Sequence, residues 1–180
     1  MSDALRNIVL IGMPGAGKST VGVLLAKVLS MEFMDTDVRI QAREQRRLQE
    51  IIDTDGLQAF LRIEARHILE LACRHHVIAT GGSVVYDEAA MRHLADGGVV
   101  VHLDLPLAAL KGRLTNLPTR GVVMAAGQSL ASLYEERQPL YRRHARITIP
   151  GAGLTHEEVV SRICEALVTA APNPQDGRFD

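Results

Sequence analysis

Residues 12–20, of sequence GMPGAGKST, constrain the fold of this chain more strongly than any other segment. They match the pattern of a glycine, four residues, Gly-Lys and then Ser or Thr, which binds nucleotide phosphates. The preceding residues 7–11 are mostly apolar and rich in β-branched side chains, which predicts a buried strand. Residues 19–29 carry apolar side chains at helical spacing. This succession of strand, glycine loop and helix indicates a nucleoside triphosphate site.

The residue types in this loop each suit phosphate binding. Glycine adopts backbone conformations that a Cβ forbids, so Gly12, Gly15 and Gly17 allow successive N–H groups to face a phosphate. The helix that follows directs its positive N-terminal end toward the same point. The Lys18 ammonium is expected to reach the terminal phosphates, and the Ser19 hydroxyl to ligate Mg²⁺. The predicted nucleotide-binding residues of the loop are Gly15, Ala16, Gly17, Lys18, Ser19 and Thr20.

Length and composition limit the remaining possibilities. A chain of 180 residues suits a single domain, here residues 1–170, followed by a tail at 171–180 that is expected to be disordered. The formal net charge of −1 argues against a nucleic acid or a membrane surface as partner. We find no signal peptide pattern and no apolar run long enough to span a bilayer. These features predict a cytoplasmic protein.

Strand-like and helical segments alternate along the chain, which predicts an α/β fold of three layers with a parallel sheet between helices. The helical segments include 38–47, continuing toward residue 52, then 57–74, and 130–143 with a kink or break at Pro139. Ligands of such sheets bind at the carboxyl ends of the strands. Three loops should therefore converge there, at residues 12–20, 35–37 and 80–83. Residues 115–129 lack periodicity and predict a mobile lid.

Two aspartates and several arginines are candidates for chemistry. Asp35 and Asp37 have alternating spacing and should point in opposite directions on an extended segment. One is expected to face the metal at Ser19, and the other to accept the proton of a substrate hydroxyl. The simpler interpretation is a solvated turn with an aspartate capping a helix. The arginines in or beside the predicted lid are Arg113, Arg120 and Arg137.

Two further features concern the ligand and the lid. Gly81 and Gly82 follow a buried strand and permit close approach of a ligand, although an ordinary tight turn would also use them. Arg120 lies within the lid segment itself, where it would neutralise charge that develops on the transferred phosphoryl group. No histidine is assigned a role.

With these motifs the chain resembles the shikimate kinases over roughly residues 7–167. The matching segments are GMPGAGKST, FMDTD at 33–37, DG at 55–56 followed by Phe60 and RIE at 62–64, ATGG at 79–82, Arg120, and RQPLY at 137–141. The resemblance implies a nucleoside-monophosphate-kinase-like fold with a central five-stranded parallel sheet. It also implies a monomer that uses ATP and Mg²⁺ to phosphorylate a hydroxyl of shikimate.

The resemblance also implies roles for individual residues. On the nucleotide side it implies phosphate binding by Lys18, Mg²⁺ binding by Ser19 and Asp35, and contacts of Arg113 and Arg120 with the adenine and the phosphates, respectively. On the acceptor side it implies binding by Asp37, Gly81, Gly82 and Arg137, of which Arg137 holds the carboxylate. The implied catalytic residues are Lys18, Asp37 and Arg120.

Two departures from the family pattern fall on the acceptor side. Leu61 stands where the family has an arginine that binds the shikimate carboxylate, and Ser83 replaces the third of three glycines. Arg62 is adjacent, but one residue turns a helical side chain by about 100°, so it is not expected to substitute. Loss of a charge-assisted contact weakens binding by about 1.5 to 3 kcal/mol.

Three alternatives to shikimate phosphorylation therefore remain open. One is a kinase for a different small hydroxy acid or hydroxy amino acid, such as homoserine. Another is a catalytically inactive nucleotide-binding regulator. A GTPase-like switch would use the DTDG sequence at residues 53–56, but this follows a helical segment and no guanine-reading motif accompanies it.

Overall fold

A computed structural model describes residues 6–113, 123–124 and 127–170 of the chain. In this part five strands form one sheet, and all four neighbouring pairs are parallel. The strands are β1 (Asn7–Ile11), β2 (Glu32–Asp35), β3 (His76–Ala79), β4 (Gly98–Asp104) and β5 (Ile147–Pro150). They lie in the order β2-β3-β1-β4-β5, with the apolar strand β1 at the centre. The predicted α/β class is confirmed.

Eight α-helices accompany the sheet within the described ranges. They are α1 (Lys18–Leu29), α2 (Thr36–Glu44), α3 (Leu48–Asp55), α4 (Leu57–Leu69), α5 (Glu88–Gly97), α6 (Leu107–Arg113), α7 (Leu130–His144) and α8 (His156–Ala170). Helices α1 and α8 pack together and contact β3 and β5, respectively, whereas α5 packs on α4 and contacts β1 and β4. Every residue of β1 is buried, because helices cover both faces of the central strand.

Helix α8 begins as the sequence indicates, with a capping box. The Thr155 hydroxyl accepts the N–H of Glu158, and the Glu158 carboxylate accepts the N–H of Thr155 at 2.7 Å. These reciprocal bonds satisfy two backbone donors that a helix start leaves unpaired.

The helical segment predicted from residue 38 toward residue 52 is instead two helices. Helix α2 ends at Glu44, the next residue Gln45 has a left-handed φ of 52°, and α3 begins at Leu48. The turn lets α3 fold back, so that Ile51 packs with Ile40 in a small apolar cluster. Residues 53–55 form the end of α3, and Gly56 (φ 86°) separates α3 from α4.

Two more helix predictions need correction. Helix α4 ends at Leu69 rather than at residue 74, because the Asn7 side chain fixes the following connection. The side-chain amide of Asn7 donates to Cys73 O at 2.8 Å, and the side-chain carbonyl of Asn7 accepts the N–H of His76 at 3.0 Å. Helix α7 runs through Pro139 without a break, since buried side chains on either side of the proline anchor it in the core.

The carboxyl ends of β1, β2 and β3 lead directly into the three segments expected to form the site. Most of the predicted lid at 115–129 and the whole tail at 171–180 lie outside the described residues. Among the residues that the structure describes, no helix combines the length and apolar character needed to cross a membrane.

Candidate active site

The glycine loop after β1 holds Lys18 in a buried position. Gly17, with a left-handed φ of 95°, precedes the first residue of α1, which is Lys18. Lys18 Nζ donates to Gly12 O at 2.8 Å and to Met13 O at 3.0 Å. Burial lowers the pKa of Lys18 to about 8, while the charge of Asp37 partly opposes this effect. The ammonium is thus held against the loop backbone, at the edge of the cavity that the loop encloses.

This first cavity has a volume of about 580 Å³ and is the larger of two at the carboxyl ends of the strands. Its lining brings together most of the residues predicted to bind nucleotide, namely Gly15, Gly17, Lys18, Ser19, Thr20 and Arg113. Ala16 does not line it; its side chain is 3% exposed and its N–H donates to Met13 O at 3.1 Å. Arg113, at the end of α6, directs Nη1 toward Gly15 O at 3.5 Å.

Ser19 and Asp35 form a pair beside the cavity. Ser19 Oγ donates to Asp35 Oδ2 at 2.6 Å. Asp35 Oδ1 accepts the N–H groups of Asp37 at 3.0 Å and Val38 at 3.2 Å, and so caps α2. One carboxylate oxygen of Asp35 therefore caps α2, as the simpler interpretation expects, and the other accepts from the serine that is predicted to bind the metal. A hydroxyl and a carboxylate oxygen are hard ligands of the kind Mg²⁺ prefers when it also binds substrate phosphates.

Three buried polar atoms close to Gly81 and Gly82 lack a partner. They are Asp37 Oδ1, Glu64 Oε1 and Arg137 Nη1. A Cβ on Gly81 would overlap Glu64 Oε1 and lie 2.8 Å from Asp37 Oδ1, and a Cβ on Gly82 would lie 3.1 Å from Arg137 Nη1. The three atoms thus surround the two glycines. Because buried polar groups are normally hydrogen-bonded, these atoms indicate a polar ligand.

Arg137 is held rigidly, with one nitrogen left over. It is 1% exposed on α7, with Nε donating to the Tyr86 hydroxyl at 3.0 Å and Nη2 to Val123 O at 2.6 Å. Its guanidinium also lies 5.0 Å from the centre of the Tyr86 ring. The protein fixes the orientation of this group, so that Nη1 remains for an anionic ligand.

Glu64 and Ser83 form a buried pair that the sequence did not reveal. Ser83 Oγ donates to Glu64 Oε2 at 2.7 Å, and both side chains are almost fully buried. Burial, with a contribution from the charge of Asp37, raises the pKa of Glu64 to about 8. Burial, with a contribution from Asp35, also raises the pKa of Asp37 to about 6. The serine that departs from the family pattern is thus the hydrogen-bond partner of a buried carboxyl.

A second cavity of about 440 Å³ adjoins the first and shares Ser83, Val123 and Arg137 with it. Leu61 lines this cavity and also packs against the small apolar cluster described above. Arg62, the next residue on α4, lines it as well.

One predicted site residue, Arg120, lies outside the described residues. His156, a residue without a predicted role, lines the first cavity, and its Nε2 would lie 3.2 Å from a Cβ on Gly17. No local pattern indicates this contact, because the two residues are far apart in the chain and meet only through the packing of α8 on α1.

Comparison with known proteins agrees with this geometry. The family model for shikimate kinase matches residues 14–168. The shikimate kinase of Rippkaea orientalis is 37% identical over 97% of this chain and 95% of its own length. That of Aromatoleum aromaticum is 40% identical over 80% and 84%, respectively. The chain belongs to the shikimate kinase family. The solved structure of the Acinetobacter baumannii shikimate kinase in complex with shikimate superposes with a TM-score of 0.88 at 29% identity, covering 95% of this chain and 97% of that one.

Membership of the shikimate kinase family makes the protein an ATP-dependent phosphotransferase that acts on a hydroxyl. The cavity lined by the glycine loop and Arg113 then suits the nucleotide. The group of unpaired atoms around Gly81 and Gly82 suits the acceptor.

The Glu64 carboxyl gives a prediction for stability. Because its pKa is raised from 4.5 to about 8, the folded state keeps a proton that the unfolded chain releases. The stability from this proton is complete below pH ~4.5 and is lost as pH rises toward ~8. At ~1.4 kcal/mol per pKa unit, wild type should lose a few kcal/mol more than Glu64→Gln between pH 5 and pH 8. Urea unfolding at both pH values measures the difference.

The matched control is Glu165→Gln, at an exposed glutamate of α8. It should lose stability with pH as wild type does. Equal pH dependence of Glu64→Gln and wild type would show that Glu64 is ionised in the folded protein throughout this range.

Proposed function

We propose that this protein transfers the γ-phosphoryl group of ATP to a hydroxyl of shikimate, with Mg²⁺ as the metal. The observation that carries the proposal is the convergence of three buried unpaired atoms, Asp37 Oδ1, Glu64 Oε1 and Arg137 Nη1. Shikimate is a small ring with several hydroxyls and one carboxylate. Its hydroxyls suit the two carboxyl oxygens, and its carboxylate suits the guanidinium.

The chemistry follows from the groups on either side of the reacting atoms. Asp37 is placed to accept the proton of the attacking hydroxyl, and its raised pKa keeps it close to the working range of a general base. Lys18 is placed to stabilise negative charge on the transferred group. Ser19 and Asp35 would hold the metal, which when bound neutralises charge on the phosphates. Arg113 would contact the nucleotide from α6.

One observation favours a second acceptor class. Leu61 gives the second cavity an apolar wall where the family has an arginine, so one carboxylate contact is absent. A small hydroxy acid or hydroxy amino acid such as homoserine depends less on such a contact. An inactive nucleotide-binding regulator is disfavoured, because the Ser19–Asp35 pair and the unpaired Asp37 oxygen remain in place.

The proposal includes a monomer in the cytoplasm, acting on small molecules alone. ATP as the phosphoryl donor is consistent with that compartment.

The test is ADP release from ATP with Mg²⁺ against shikimate, quinate, homoserine, gluconate and no acceptor. Family membership and the polar acceptor site predict release at least about 100-fold above the no-acceptor rate with shikimate alone, since enzymatic proton transfer contributes about that much by itself. Turnover of homoserine with shikimate inert would replace the acceptor by the second class. Nucleotide binding without acceptor-dependent release would instead support the regulator.

A further inference from the structure

The Glu64 carboxyl is buried without a cation bonded to it. Its side chain is 2% exposed, and within the described ranges its two oxygens have one hydrogen-bond partner between them, Ser83. Lys18 and Arg137 face this carboxyl from α1 and α7, but both donate to other groups. A buried carboxylate without a bonded cation is costly, so the neutral carboxyl is favoured here.

Ser83 determines which oxygen of this neutral carboxyl carries the proton. Its side chain is 1% exposed, and its Oγ donates to Glu64 Oε2 at 2.7 Å. Because Oε2 accepts this hydrogen bond, the proton of the carboxyl belongs on the other oxygen, Oε1. The serine therefore directs the only O–H of Glu64 away from itself.

Glu64 Oε1 and Asp37 Oδ1 converge on one point above Gly81. Both oxygens are buried and unpaired, and a Cβ on Gly81 would overlap the first and lie 2.8 Å from the second. The Gly81 N–H is already engaged, since it donates to Thr36 Oγ1 at 3.2 Å. This point is therefore served by one O–H donor, on Glu64, beside one acceptor, on Asp37. Such a pair is complementary to two neighbouring hydroxyls, of which one donates and the other accepts.

We propose that Ser83 is a positioning residue, which orients the Glu64 carboxyl so that Oε1 donates a hydrogen bond to the hydroxyl next to the one that reacts. The inference rests on the proposed function and adds to it a requirement for two neighbouring hydroxyls on the acceptor. A ring with several hydroxyls, such as shikimate, can satisfy both carboxyl groups. Homoserine has a single hydroxyl and leaves the Glu64 donor unpaired, which is unfavourable in a buried site.

The first experiment measures the Kd of shikimate by titration calorimetry, without nucleotide, at pH 7 and pH 9. The wild-type Kd should rise about tenfold between these values, because Glu64, with a pKa of about 8, loses its donor on ionisation. Glu64→Gln should have the same Kd at both pH values, since its amide keeps an N–H donor. Asp37, Lys18 and Arg137, the charged groups that face Glu64, are unchanged in this variant, so their titration would appear as a remaining pH dependence.

The second experiment tests the serine with Ser83→Ala. Its Kd for shikimate at pH 7 should be about fivefold above that of wild type, because the carboxyl is no longer held in one orientation by a hydrogen bond. The Ser83 hydrogen bond also lowers the pKa of Glu64, so its loss should move the rise in Kd to higher pH. A merely structural role of Ser83 would raise Kd equally at every pH and leave the pH range of the rise unchanged.

The matched control is Ser161→Ala, at an exposed serine of α8, which should keep the wild-type Kd and its pH dependence. A wild-type Kd that is constant or falls from pH 7 to pH 9, or a rise that Glu64→Gln shares in full, would overturn the inference. Wild-type affinity and pH dependence in Ser83→Ala would do the same. If wild type releases no ADP with shikimate, the proposed acceptor itself is wrong, whereas normal turnover beside any of these contrary results removes the inference alone.

Discussion

Replacement of Lys18 by methionine is expected to lower kcat by about 10²- to 10³-fold, as does the loss of one donor from a preorganised electrostatic site. Methionine approximates the length of the lysine stem but carries no charge. The loop would therefore keep its shape and lose the cation that stabilises the transferred phosphoryl group. Steady-state kinetics with ATP and Mg²⁺, at saturating acceptor, measure the effect.

The environment of Lys18 also predicts how activity depends on pH and how Lys18→Met affects stability. Its Nζ is held by Gly12 O and Met13 O, and burial lowers its pKa to about 8. Because the free enzyme loses this proton above pH ~8, wild-type kcat/KM for ATP should fall as pH rises through that value. The same lowered pKa means that the charged form is costly in the folded state, so Lys18→Met should unfold at a temperature equal to or above that of wild type at pH 7.

The matched control is Lys27→Met, which changes an exposed lysine in the last turn of the same helix. It should keep wild-type kcat and the wild-type pH profile. Lys18→Met with more than about a tenth of wild-type kcat would show that the backbone and arginines of the site carry the stabilisation instead.

Much of this site could be predicted because its parts are local in sequence. The strand, glycine loop and helix at residues 7–29 are one continuous segment, and their residue types alone indicate phosphate binding. The parallel sheet then brings the ends of β1, β2 and β3 to one edge, as the rule for such sheets requires. The separate roles predicted for Asp35 and Asp37 rested on an extended segment, and this premise is wrong, because Asp37 lies in the first turn of α2.

The parts that could not be predicted depend on packing between distant segments. The bond between Ser83 and Glu64 joins the end of β3 to α4, and the sequence showed only a missing glycine. Arg62 lines the second cavity because of how α4 packs on its neighbours, and the spacing of residues along one helix does not reveal that packing. The break after α2 likewise has no glycine or proline to mark it, since Gln45 adopts the left-handed conformation.

Asp37→Asn is expected to lower kcat by about 10²- to 10⁴-fold, the range for loss of a general base. The amide has the shape of the carboxyl group but cannot take up the proton of the attacking hydroxyl. Affinity for ADP should stay within about threefold of wild type, because Lys18 and the loop backbone carry nucleotide binding. Single-turnover phosphoryl transfer and ADP titration separate the two effects.

The raised pKa of Asp37 allows the Asp37→Asn variant to distinguish a catalytic role of this residue from a role in folding. Burial raises that pKa to about 6, so wild-type kcat/KM for the acceptor should fall as pH decreases through that value. Asp37→Asn should lose this acid limb. Because the charged form of Asp37 is costly in the folded state at pH 7, the Asp37→Asn variant should be as stable as wild type or more so.

Asp53→Asn, at an exposed position of α3, is the control, and it should keep both the wild-type activity and the wild-type pH profile. A folded variant that keeps the acid limb of the pH profile would show that Asp37 is not the group that accepts the proton.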